Sequence, residues 1–391
     1  MIIKPAERLS TTKEYYFSVK LQEVRALMAK GRNIISIAIG NPDMAPSQAT
    51  IDALTRHAGN PENHGYQPYR GIPELRGAIG QFMADIYGVS LNINDEILPL
   101  IGSKEGITHL SLAFLNPIDK VLVPELGYPA YSAVTDMVGG VSVPYPMMEK
   151  ANWRPDIKAI ENMNLAGVKL MWINYPNMPT GAPASRESFQ EIIDFAKKRQ
   201  ILIVHDNPYS LVLNETPPLS ILSLDGAMDV ALEMNSMSKS HNMAGWRIGW
   251  VAGQKAYIDS ILQIKSNVDS GMFKPMQLAA AEAFANPPEW HTARNDEYRR
   301  RRALVWKILD KLSCTYDRSQ TGLFIWAHVP EFIGSGEKLS DYLLYEKDIF
   351  VTPGFIFGDK GAKYIRISLS VKYELLEEVL KRIENIDITK I

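Results

Sequence analysis

Residues 201–210 read ILIVHDNPYS: four consecutive apolar residues, then a polar turn with a proline. An apolar run without alternation marks a strand buried on both faces. The same phrase recurs along the chain. EILPLIG (96–102) leads into SKEGITHLSLAFL (103–115), and KVLVPE (120–125) leads into YSAVTDMVG (131–139). VKLMWIN (168–174) leads, through a Pro/Gly loop, into SRESFQEIIDFAKKRQ (185–200), and VALEMNSMS (230–238) is another such run. Buried strands separated by helical patterns predict an α/β domain with a mostly parallel sheet. In such sheets a ligand lies beyond the carboxyl ends of the strands.

The rest of the chain reads differently. KGRNIISIAIGNPD (30–43) is a strand entering a Gly/Pro loop, and 290–312 has the pattern of a long amphipathic helix. GLFIWAHV (322–329) and KYIRISLS (363–370) are strand-like, and a closing helix starts near Lys372. The expected organisation is a large domain over 41–287 and a smaller α+β domain over 288–391, which the segment 1–40 joins. The second boundary falls at the Pro-rich ANPPEW (285–290).

The chain has 391 residues, of which 46% are apolar and 22% charged, which allows a large core. A formal net charge of -2 gives no general attraction to nucleic acid or to an acidic membrane. One cysteine, Cys314, excludes an internal disulfide, and no Cys/His spacing suits a structural metal. It reads as a buried thiol. The first 17 residues lack a signal-peptide pattern, and no apolar run reaches the roughly 18 residues of a membrane span. A cytoplasmic protein is the expectation.

The strand ends carry the chemistry. Ser103 could cap the helix that follows GS, a start that favours an anion such as phosphate. Asp206 follows the 201–204 run; it could equally be a helix cap or half of a structural ion pair, and Tyr209 stands three residues on. Lys239, in SMSKSHNMAGWRIGW (236–250), follows the next strand. A lysine in a desolvated pocket loses proton affinity and becomes a nucleophilic amine suited to Schiff-base chemistry. Ser236, Ser238 and Arg247 could hold a dianion beside it. An amine, a carboxylate, a phenol and phosphate-binding elements together fit pyridoxal 5'-phosphate.

The order and wording of GNPD, YQPYRGIPELR, GSKEG, PELGYPAY, NYPNMPTG, HDNPYS, SMSKSHNMAGWRIGW and YIRISLS resemble the class I/II aminotransferases of pyridoxal-phosphate fold type I, over nearly the whole chain. GSKEG, NYPN, HDNPYS and SNVDSGMF are most similar to the branch with LL-diaminopimelate and alanine aminotransferases. The resemblance implies that Lys239 anchors the cofactor covalently and moves the substrate proton. It implies that Asp206 pairs with the pyridine nitrogen, Tyr209 donates to the phenolic oxygen and Tyr128 stacks on the ring. Ser103, Lys104, Ser236 and Arg247 would hold the phosphate. Tyr66 would reach the neighbouring subunit's cofactor, making a homodimer the active unit. Arg366 would clamp the substrate α-carboxylate, with the backbone of Gly40 close by, and a bidentate arginine suits that task unaided. The loop 267–270 would border the site across the dimer, while His205 and His241 read as packing residues. A PLP-dependent C–S lyase or a weakly active PLP-binding homologue is the alternative within the fold.

One position departs from the family pattern. Where the family's tetrad carries an asparagine, this chain has Met178. A thioether donates nothing. The phenolic oxygen would then rely on Tyr209, or on Asn174 or Asn177. The lost donor should raise the pKa of the anchored cofactor and alter the pH optimum.

Overall fold

The computed structural model describes residues 3–6, 8–11 and 16–391, so the reading of 1–40 falls partly outside the described residues. Seven strands form the main sheet: β1 (Ile97–Leu100), β2 (Lys120–Pro124), β3 (Val141–Tyr145), β4 (Val168–Asn174), β5 (Leu202–Asp206), β6 (Ala231–Ser236) and β7 (Gly249–Gly253). Their order is β1-β7-β6-β5-β4-β2-β3. Strands β2 to β6 pair in parallel, and β7 alone runs antiparallel to its neighbours β1 and β6. Trp172, Ile173, Ile203, Val204 and Leu232 are fully buried, which is why these strands read as unbroken apolar runs. Helices Ser103–Phe114, Ala130–Met137 and Arg186–Arg199 follow β1, β2 and β4. The Ser185 hydroxyl caps the last of these by accepting from Ser188 N.

The helix Pro288–Lys311 opens on two prolines, at the position where a missing N–H does no harm. Beyond it lies a four-stranded antiparallel sheet of β8 (Thr315–Tyr316), β9 (Phe324–His328), β10 (Thr352–Pro353) and β11 (Tyr364–Ser368), ordered β8-β9-β11-β10. The segment expected as a strand at 30–43 pairs only through Ile35–Ser36, parallel to Ile349–Phe350. It is nonetheless pinned: Ile37 O accepts from Ser368 N at 2.8 Å, and Ala38 O from the Thr352 hydroxyl at 3.0 Å. The chain then passes Gly40 under Phe324; a Cβ at 40 would lie 2.1 Å from that ring.

Candidate active site

The carboxyl ends of β1, β4, β5 and β6 face one cavity of about 510 Å3. It brings together Gly40, Ser103, Lys104, Tyr128, Asn174, Asp206, Tyr209, Ser236, Lys239, Arg247 and Arg366. Tyr66 stands apart, 92% exposed. A wider groove of about 1000 Å3 between the Pro288–Lys311 and Tyr373–Arg382 helices is lined mainly by Lys and Glu side chains and holds none of these groups.

Asp206 is the last residue of β5 and is buried. Its Oδ2 accepts from the Tyr131 hydroxyl at 2.7 Å, while its Oδ1 is buried with no partner. Its carbonyl accepts from the Asn174 amide at 2.7 Å. Burial raises the carboxyl to about 6, against the opposing pull of the Tyr131 hydrogen bond and of His205. Lys239 sits on the one-turn helix Met237–Ser240 after β6, and its Nζ donates to Gly40 O. Burial lowers its amine to about 8, with the positive charges of Arg366 and Arg247 adding to the effect.

Ser103 does not cap its helix. It is the first helical residue; the cap is Gly102 in a left-handed conformation (φ 79), with no side-chain cap bond. Glu105 instead reaches back to accept from Ile101 N at 2.5 Å. The glycine has a steric reason, since a Cβ at 102 would lie 2.2 Å from Arg247 Nη2. Arg247 is itself left-handed (φ 57), a conformation that disfavours a side chain and gathers at functional sites. Its guanidinium meets the Ala244 carbonyl at 2.8 Å and the Ser238 hydroxyl at 3.4 Å. The Ser236 hydroxyl accepts from Ser238 N and caps the Lys239 turn.

Arg366, on β11, packs its guanidinium against aromatic rings, its centre 3.8 Å from that of Phe324 and 4.6 Å from that of Phe357. Its Nη2 donates to Ala38 O at 3.1 Å, and its Nη1 lies 3.2 Å from Met178 Sδ. Met178 lines the cavity; Asn177 does not. The Asn177 side chain is spent on its own loop, donating to Asn174 O and accepting from the Thr180 hydroxyl. Asn174 is also engaged, accepting from Met178 N while donating to Asp206 O.

The residue missed from sequence is Tyr131. It stands three residues after Tyr128, in the first turn of the Ala130–Met137 helix; its ring meets Tyr128 edge-on at 5.7 Å and stacks on Trp172 at 4.7 Å. Cys314 is buried, as expected, and burial pushes its thiol up to about 12. Asp269, in the loop after the Lys255–Lys265 helix, is paired with the fully buried Lys265, which also stands 3.8 Å from Glu105.

Residues 32–383 match the family model described as aminotransferase class I and II. The chain belongs to this family. The aminotransferase is 38% identical to the LL-diaminopimelate aminotransferase of Halothermothrix orenii over 98% of each chain. It is 38% identical to the enzyme of the same name from Aquifex aeolicus, over 97% of this chain and 98% of that one. The substrate-bound BacF structure from Bacillus subtilis superposes with a TM-score of 0.92 at 34% identity, covering 98% of each chain. The aminotransferase therefore has fold type I and depends on pyridoxal 5'-phosphate. Its residues fit that cofactor on two structural grounds. The Asp206 Oδ1 is a buried acceptor with no partner, a position that a pyridinium N–H would suit. The bare turn at Gly102 leaves room for Arg247 beside a helix start, an arrangement that suits a phosphate dianion.

Proposed function

We propose that this aminotransferase moves an amino group from an L-amino acid to a 2-oxo acid, with Lys239 as both covalent anchor and acid–base group. The carrying observation is that Lys239 and Asp206 line one cavity, each drawn toward its neutral form by burial. When bound, the cofactor supplies an electron sink for the pair left at the donor's α-carbon. Asp206 holds a proton on the pyridine nitrogen, and Tyr131 holds Asp206 in place. Tyr209 donates to the phenolic oxygen, Tyr128 covers the ring, and Ser103, Lys104, Ser236 and Arg247 bind the phosphate, with Asn174 fixing the strand end. Arg366 takes the substrate carboxylate, near the Gly40 backbone. Lys239 would take up and give back the substrate's α-proton; an amine near 8 can do both close to neutral pH. The donor leaves as its 2-oxo acid before the acceptor enters, so the kinetics are ping-pong.

The same reading divides the chain at 40/41 and 287/288 and takes a cytosolic homodimer as the working unit. Tyr66, Tyr69, Val268 and Phe273 are all exposed, although the backbone turn at 67 packs closely on Gly271. Two loops that touch each other and turn apolar side chains outward suit a partner copy. No helix among the described residues is long and apolar enough to cross a membrane.

The experiment is a half-reaction screen, following loss of the bound coenzyme's absorbance with each amino acid in turn and starting with LL-diaminopimelate, the compound named in the relatives. Stoichiometric release of a 2-oxo acid, with turnover only on adding a second one, is expected. Steady release of pyruvate and ammonia without an acceptor overturns the reading in favour of a C–S lyase.

A further inference from the structure

Behind Asp206 lies a polar cluster that takes no part in lining the cavity. His205 on β5 and Glu233 on β6 are direct cross-strand partners, and both are fully buried. Successive strand residues point to opposite faces, so His205 sits behind the sheet from Asp206. Glu233 Oε2 accepts from the Ser220 hydroxyl at 2.5 Å and from Ile221 N at 3.0 Å, and His205 Nδ1 lies 3.1 Å from it. Its Oε1 accepts from the amides of Asn235 at 2.7 Å and Asn207 at 3.2 Å. The Ser220 hydroxyl, Ile221 N and the two amides all donate to the carboxyl, two on each oxygen, which is the pattern of a carboxylate. A buried carboxylate needs a cation, and among the described residues only His205 stands within ion-pair distance. On its far side His205 Nε2 lies 2.8 Å from the Tyr175 carbonyl, which can only accept. Acceptors at both ring nitrogens require a proton on each. Phe189 closes the remaining side, its ring 4.8 Å away and edge-on.

We propose that His205 and Glu233 form a buried imidazolium–carboxylate pair whose positive end stands next to Asp206, making His205 a positioning residue for the carboxylate that binds the cofactor. The proposal rests on the reading of Asp206 given above. The pair does two things. Its charge opposes the desolvation of Asp206, as the direction of the His205 effect on that carboxyl indicates. Its hydrogen bonds tie together three strand ends: Tyr175 opens the loop to Met178, His205 precedes Asp206, and Glu233 lies three residues before Ser236. Tyr131, from the helix after β2, is the titratable group that hydrogen-bonds Asp206, and it acts in the same sense as His205.

The test uses holoenzyme labelled with 15N at histidine. At about pH 8 one histidine is expected with both nitrogens at protonated shifts, and that signal should vanish in His205→Gln; its absence from the wild-type spectrum overturns the pair. In Glu233→Gln the ring should turn neutral and coenzyme release near pH 7 should quicken about tenfold or more, whereas Glu233→Asp retains the slow rate. Unchanged release in Glu233→Gln overturns the positioning role. If that variant does not fold, His205→Gln serves for the same measurement. Asp206→Asn separates the two readings: if it retains coenzyme as tightly as wild type, the role given to Asp206 fails whatever the His205 spectrum shows.

Discussion

The Tyr131 hydroxyl donates to Asp206 Oδ2 at 2.7 Å, while the other oxygen of that buried carboxylate has no partner. One donor is thus built in and one awaited. Tyr131→Phe should keep the fold, since ring and stacking on Trp172 remain. It removes a charge-assisted hydrogen bond of about 1.5–3 kcal/mol. Coenzyme affinity should fall by about tenfold or more, read from coenzyme release, with a smaller change in Tm.

Asp206 also sets a trade between stability and function. Its folded value of about 6 lies above the ordinary 3.8, so the protonated form favours the native apoprotein and that advantage is lost as pH rises through 6. Above that pH the buried charge costs on the order of 3 kcal/mol. Asp206→Asn apoprotein should therefore melt higher than wild type at pH above 6, with the two curves converging near the ordinary value of 3.8, while the variant loses transamination.

Lys239 should impose a pH dependence on coenzyme uptake. Its amine is lowered to about 8, so condensation onto the apoprotein should accelerate with pH and level off above that value. Arg366 is the largest cause after burial, and its positive charge favours the neutral amine. Arg366→Leu should move the midpoint upward, toward the ordinary 10.5. A midpoint that stays put in stopped-flow absorbance would remove the electrostatic link between the two.

Gly102→Ala should act through Arg247. The new Cβ falls 2.2 Å from the guanidinium, at a φ of 79 that an L side chain disfavours. The backbone effect is about 1–2 kcal/mol, and the arginine, being the flexible partner, should swing aside. Coenzyme should be lost on gel filtration, whereas far-ultraviolet circular dichroism stays unchanged.

Met178→Asn should restore a donor and take sulfur off the Arg366 guanidinium, now 3.2 Å away. The midpoint of the bound coenzyme's absorbance titration should move down by about one unit. Without that shift, position 178 has no part in setting it.

The sheet and most of the cavity were legible in the sequence because two signals coincide there. A strand-like run ends, and a residue costly to bury stands just beyond it: Asp206 two places after ILIV, Lys239 after VALEMNSMS. What stayed hidden depends on partners distant in sequence or on backbone dihedrals. Tyr131 looks like one more helix residue until Asp206 stands opposite it. Glu233 reads as a polar break in a strand; its meaning comes from His205 across the pairing. Ser103 looks like a helix cap, but the left-handed Gly102 takes that place so that Arg247 can approach. The donor lost at Met178 was visible, but its contact with Arg366 was not, because β11 lies 188 residues further on.

Lys239 and Arg366 each rest a hydrogen bond on the backbone of one short segment, at Gly40 O and Ala38 O. That segment works as a caliper, fixing how far apart the amine and the guanidinium stand. A change that shifts this segment disturbs both groups at once, so their effects cannot be separated by altering the backbone between them.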